Sequence, residues 1–230
     1  MTVNEFINAL SPKAKQIIYN YEYINNNRNT IIINFTDSRS QVNLSHQDRY
    51  IIEIKRNPIL YNMEYDLLHE FYHCVQIDQG FPSIDHTLSK YQKLATIISS
   101  AVLDLDVNER LVKVGYPLNY FYLKRSLDEI RKIILISNND SSVNQEIHEI
   151  TNYMYICTKI AFIRINYNNQ NEVEQLLQIL KNNAIDCFKT QSMIYNAIVK
   201  TGYNTPQKSY KTFKTLIREL QLNDYIHISR

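Results

Sequence analysis

Two histidines stand four residues apart, with a glutamate directly after the first: His69-Glu70-Phe71-Tyr72-His73. On a helix, side chains at i and i+4 share a face, so both imidazoles can reach one zinc ion. The carboxylate beside the first of them is placed to take a proton from a water at that ion. Types and spacing together describe a hydrolytic metal centre. The competing reading is a chance set of polar residues on an ordinary helix. The helical wheel separates the two. At about 100° per residue, Leu67, Phe71, Cys74 and Val75 make one apolar stripe. His69 and His73 lie on the opposite side, with Glu70 flanking them. The pair is therefore not part of the core stripe, and Cys74 reads as packing and not as a nucleophile.

At this motif the sequence resembles the zincin metallopeptidases. The resemblance covers roughly residues 30–111, and HEFYH is its motif. It implies that His69 and His73 hold zinc, that Glu70 is the general base, and that a third ligand lies downstream. It also implies a peptide or protein substrate. The metzincin pattern would place a Gly three residues after His73 and a His six after it. Gln76 and Gln79 stand there instead. The third ligand should then be a carboxylate, as in gluzincins or aspzincins, or else an unusual His.

Six side chains after the motif could fill that role: Asp78, Asp85, His86, Asp104, Asp106 and Glu109. Asp78 follows the motif on the same helix and points toward the apolar stripe, and Asp85 and His86 fall in a loop. On the next long helix, Ile97, Ser100, Ala101, Val107 and Leu111 all lie within about 60° of Asp104. Asp106 falls near Lys113 and Ala95, roughly opposite, and Glu109 is about 140° away. A carboxylate on an apolar face is costly unless it is paired or coordinates a metal. That ranks Asp104 first, Glu109 second and His86 third. The resemblance to zincins also implies a Tyr or His that polarises the substrate carbonyl; Tyr72, Tyr116 and Tyr120 are available, and nothing in the sequence selects one. His46, His148 and His227 have no partner spacing and read as surface residues.

These residues need elements to position them. Ser11-Pro12 is a helix start, a capping hydroxyl followed by a proline at the first helical position. Residues 30–35, 41–44 and 49–55 read as short strands. Asn57-Pro58 breaks the last of them, and a helical period runs from about 62 to Gly80. Residues 81–87 read as a loop and 89–114 as a long apolar helix ended by Gly115-Tyr116-Pro117. Helices are expected at 120–136, 143–166, 172–188, 192–200 and 206–222. The basic run Lys200, Lys208, Lys211, Lys214 and Arg218 reads as a solvated face.

Composition agrees. The 230 residues include 3 Gly, 5 Pro and no Trp, which disfavours a turn-rich sandwich or barrel. With 25 basic and 23 acidic residues, the chain as a whole shows no preference for a polyanion. Three widely spaced cysteines give neither a disulfide framework nor a cysteine-zinc module. No signal peptide or membrane span is read, so the expected location is cytoplasmic.

The expected fold is α+β, mostly α. A short antiparallel or mixed sheet lies beside the HExxH helix, and an all-helical C-terminal lobe follows. Residues 1–116 would be a zincin-like catalytic core and 117–230 the lobe. The expected activity is zinc-dependent peptide hydrolysis, with Zn2+ on His69, His73 and Asp104 and with Glu70 as base. One alternative is a catalytically silent zincin scaffold that binds or regulates a protein. Another, less favoured, is a helical nucleic-acid binder using the basic face.

Overall fold

A computed structural model describes residues 1–24, 31–44, 50–118, 123–124, 126–128, 130, 146–167 and 170–229. The chain divides into two compact units, Met1–Gln79 with Arg110–Tyr116 and Gly80–Glu109 with Pro117–Arg230. The fold is α+β and mostly helical, as expected.

The first unit opens with a helix that the sequence reading did not foresee, α1 (Val3–Ala9), started by a capping box of Thr2 and Glu5. Helix α2 (Pro12–Ile24) follows the Ser11-Pro12 start. Three strands then make a mixed sheet in the order β1-β3-β2. The central strand β3 (Tyr50–Lys55) runs parallel to β1 (Ile31–Thr36) and antiparallel to β2 (Gln41–Leu44). Tyr50, Ile52 and Ile54 alternate inward and are fully buried, the signature of a sheet with one face on a core.

Helix α3 (Leu60–Asp78) packs against β2 and β3. Its long unbranched side chains lose little rotamer freedom in a helix. Asn57 Oδ1 accepts the Ile59 N–H at 2.8 Å, which turns the chain into α3. Gly80, at φ 76°, stops it in the left-handed region. Leu67, Phe71, Cys74 and Val75 form the buried stripe that the helical wheel predicts. Burying each large member contributes about 1.5–3 kcal/mol.

Near the start of α3, the buried Glu64 carboxylate ties three segments together. It accepts from Ser11 N at 2.6 Å, Ser11 Oγ at 2.9 Å and the Tyr116 hydroxyl at 2.6 Å. Tyr116 follows helix α4 (Gln92–Lys113), and Arg110 on α4 donates to Gln79 Oε1 at 2.8 Å. The last turn of α4 is thus fastened to both ends of α3.

In the second unit, residues 81–87 are not a plain loop. They contain β4 (Ser83–His86), paired antiparallel with β5 (Ile226–Ser229). The C-terminal part is therefore helical but not all-helical. Ile226 is buried and His227 exposed, a period of two too short to read at a chain end. Helices α5 (Glu146–Asn166), α6 (Asn171–Asn183), α7 (Ile185–Thr201) and α8 (Pro206–Glu219) share one core with much of α4. The break expected after residue 188 lies at Ala184 instead. Asn183 Nδ2 folds back on the Ile179 carbonyl at 3.1 Å and closes α6, and residues 189–191 stay helical.

On α8, Lys208, Lys211, Lys214 and Arg218 are exposed while Phe213, Leu216 and Ile217 are buried, as a solvated basic face requires. The expected helix at 120–136, Tyr120, His46 and the side chain of His148 lie largely or wholly outside the described residues. Among the described residues no helix is long and apolar enough to cross a membrane.

Candidate metal centre

His69, Glu70 and His73 occupy the third and fourth turns of α3. Both histidines are half-buried, and Glu70 is 9% exposed. The imidazole centroids are 5.0 Å apart, with the rings 77° to one another. One turn of helix sets that spacing, and the stripe of Leu67, Phe71 and Cys74 fixes how α3 is rotated.

His73 has a partner that the sequence reading passed over. Its Nδ1 lies 2.9 Å from Gln76 Oε1. A carbonyl oxygen only accepts, so Nδ1 carries the proton and the Nε2 lone pair is left for a ligand. Gln76 is 1% exposed, so the orienting group is itself fixed by packing. Its spacing of i+3 from His73 was the available signal. In the sequence it marks only the departure from metzincins.

Asp104 is half-buried on α4. Ligand atoms of His69, His73 and Asp104, one from each, lie within 4.8 Å of one another. Among the described residues this is the group of metal-capable side chains that forms, and such a group could hold a metal ion.

The other candidates are engaged differently. Glu109 hydrogen-bonds Tyr203, and Asp106 faces the same phenol. Burial first, then these two carboxylates, push the Tyr203 hydroxyl above its ordinary range. Asp106, roughly opposite Asp104 on the wheel, is 3% exposed. Leu105, Asp106, Val107 and Asn108 are all buried, more than a full turn, so no single stripe describes α4 there. His86 sits on β4, its Nδ1 3.9 Å from Asp85 Oδ1. Asp78 accepts from the buried Tyr50 hydroxyl at 2.5 Å.

Of the tyrosines, Tyr116 is held by Glu64. Burial raises the Tyr72 phenol, and the Arg110 guanidinium pulls the other way. The Cys74 thiol is driven far above its ordinary range by burial and by Glu70, and it donates to the Glu70 carbonyl at 3.5 Å. It is inert packing, as the wheel predicted. No family model, curated protein or solved structure matches the chain.

Proposed function

We propose that this chain is a metal-dependent peptidase, with zinc held by His69, His73 and Asp104 and with Glu70 as general base. The observation that carries the reading is the convergence of those three ligand atoms within 4.8 Å, with a buried glutamate directly after His69 in the chain. Two imidazoles and one carboxylate form a donor set that suits zinc and leaves a fourth tetrahedral position. Zinc bound there supplies a Lewis acid and brings the pKa of a water toward neutrality.

The chain's own groups do the rest. The Glu70 carboxylate takes the proton of the attacking water and returns it to the leaving amine. Burial keeps that carboxylate from being solvated away from its task. Gln76 holds the His73 ring in the tautomer that presents Nε2. Strand β2 is an edge of the sheet that α3 packs on, among the described residues. An extended peptide can add to such an edge through its backbone, which supports a peptide substrate.

Metal content and turnover test this together. Purified protein should carry about one zinc per chain, and His69→Ala should lose it with the fold intact by circular dichroism. Glu70→Gln should keep the metal and lose about 10²–10⁴-fold in cleavage of a peptide library. Wild-type protein without stoichiometric metal, indifferent to His69→Ala, would sink the centre. Zinc retained by a protein that cleaves nothing would instead favour the silent scaffold.

A further inference from the structure

Far from the HEFYH motif in sequence, two cysteines meet inside the second unit. Cys157 on α5 and Cys187 on α7 place their sulfurs 3.4 Å apart. Both are buried, and Cys157 also lies 3.9 Å from the Cys187 carbonyl oxygen. We propose that Cys157 and Cys187 form an oxidisable dithiol, a modification site at which a hydroperoxide converts the pair into a disulfide joining α5 to α7.

Geometry carries the case. A disulfide needs a sulfur–sulfur distance of about 2.05 Å, so the two atoms must close by only about 1.4 Å. Cys74, the remaining cysteine, lies on α3 in the other unit and has no sulfur neighbour among the described residues.

The two sulfurs are not equivalent, and the difference sets the order of events. Cys157 is 0% exposed and Cys187 is 8% exposed, so an oxidant meets Cys187 first. Cys187 is also the third residue of α7, where backbone N–H groups without helical partners favour a thiolate. The hydrogen bond from Cys157 holds the Cys187 thiol below its ordinary range against the opposing effect of burial. The same bond, together with burial, drives Cys157 far up. Cys187 is therefore the nucleophile and Cys157 the resolving thiol.

The chemistry balances with one hydroperoxide per pair. The Cys187 thiolate attacks the terminal peroxide oxygen. An S–O bond forms, the O–O bond breaks, and the released alkoxide or hydroxide takes up the proton that Cys187 shed. Cys157 sulfur then attacks the Cys187 sulfenic sulfur. The S–S bond forms, the S–O bond breaks, and hydroxide leaves with the Cys157 proton as water. Two electrons pass from the sulfur pair to the peroxide. Any dithiol reductant reverses the bridge by exchange.

The full chain, treated with a small excess of hydrogen peroxide, tests this. The protein is then denatured in an alkylating agent and analysed by mass spectrometry. The expected result is a loss of 2 Da, a linked peptide pair containing Cys157 and Cys187, and an alkylated Cys74. The oxidised protein should melt at least about 5 °C higher, because the bridge closes a loop of some 30 residues in the unfolded chain. Cys157→Ser should leave Cys187 as the sulfenic or sulfinic acid, 16 or 32 Da heavier, and Cys74→Ser should bridge as wild type does. Three cysteines alkylated alike in folded, peroxide-treated protein would overturn the proposal. So would a bridge involving Cys74, or one that forms equally well in urea.

Discussion

The two units each bring a pair of reactive side chains together, by different means. His69 and His73 are neighbours because one helix repeats every turn, and their rings sit 5.0 Å apart on α3 alone. Cys157 and Cys187 are neighbours because two helices pack, and their sulfurs sit 3.4 Å apart across α5 and α7. The first arrangement survives as long as residues 60–78 stay helical. The second exists only while the core between two helices is intact. A helical pair is therefore a robust way to hold a metal, whereas a packed pair reports on the core that holds it. Burial serves the two differently as well. It encloses Glu70 on the helix that carries the imidazoles, and it leaves Cys187 only narrowly open to an attacking reagent.

The comparison breaks most visibly if the core of the second unit is damaged. Ile194 is fully buried on α7, two turns beyond Cys187. Ile194→Ala should cost about 2–5 kcal/mol, read from the urea midpoint at unchanged slope. Alkylation of Cys157 and Cys187 under native conditions should rise several-fold, while Cys74 in the other unit stays protected. If Cys74 reacts equally fast, opening is global, and the cysteine pair does not report on the core of its own unit.

The same contrast explains what the sequence could disclose. The motif, the stripe of α3, the three strands and the helix-ending glycines are all set by residues within a few positions of each other. Their periods are visible without knowing what they pack on. Asp104 was reachable because an acid on an apolar helix face needs an explanation. The burial of Asp106 was not legible, because α4 is buried all round over Leu105–Asn108 and an angle on a wheel does not say what covers it. The β4–β5 pair joins residues 83–86 to 226–229, a separation at which no local pattern specifies the partner. The cysteine pair was hidden for the same reason. The sulfurs are 30 positions apart on different helices, with the whole of α6 between them, and only packing brings them into reach.

Gln76 offers a sharper, smaller test of the helical pair. It is one turn from His73 and completely enclosed, so it can orient the ring without touching a metal itself. Gln76→Leu keeps the bulk and removes the acceptor. The proposed centre should then bind zinc about 10–100-fold more weakly, measured by competition with a chromophoric chelator. Gln76→Glu restores an acceptor and should recover most of that affinity. A purely structural glutamine would lower stability in both variants and leave zinc affinity unchanged.

The smallest expected effect lies in alkali and contrasts a phenol from each unit. Tyr116 is pushed up to about 12 by burial and by the Glu64 carboxylate that it donates to. Tyr153 is pushed up to about 12 chiefly by burial, and its hydroxyl lies 2.8 Å from Thr190 Oγ1. An unfolded tyrosine ionises near 10. Between about pH 10 and 12 the folded chain thus binds more protons than the unfolded one, and stability falls as pH rises. Below pH 10 both contributions are fully present. They fade as the pH passes about 12, where the phenols ionise even in the folded chain. Tyr116 should account for the steeper part, because its anion would face Glu64 directly, whereas no carboxylate stands behind the shift of Tyr153. Melting temperatures from pH 9 to 12 should therefore decline less in Tyr116→Phe than in Tyr153→Phe. Equal slopes in both variants and in wild type would mean that neither phenol couples to folding. The Glu64 network would then act through its hydrogen bonds alone.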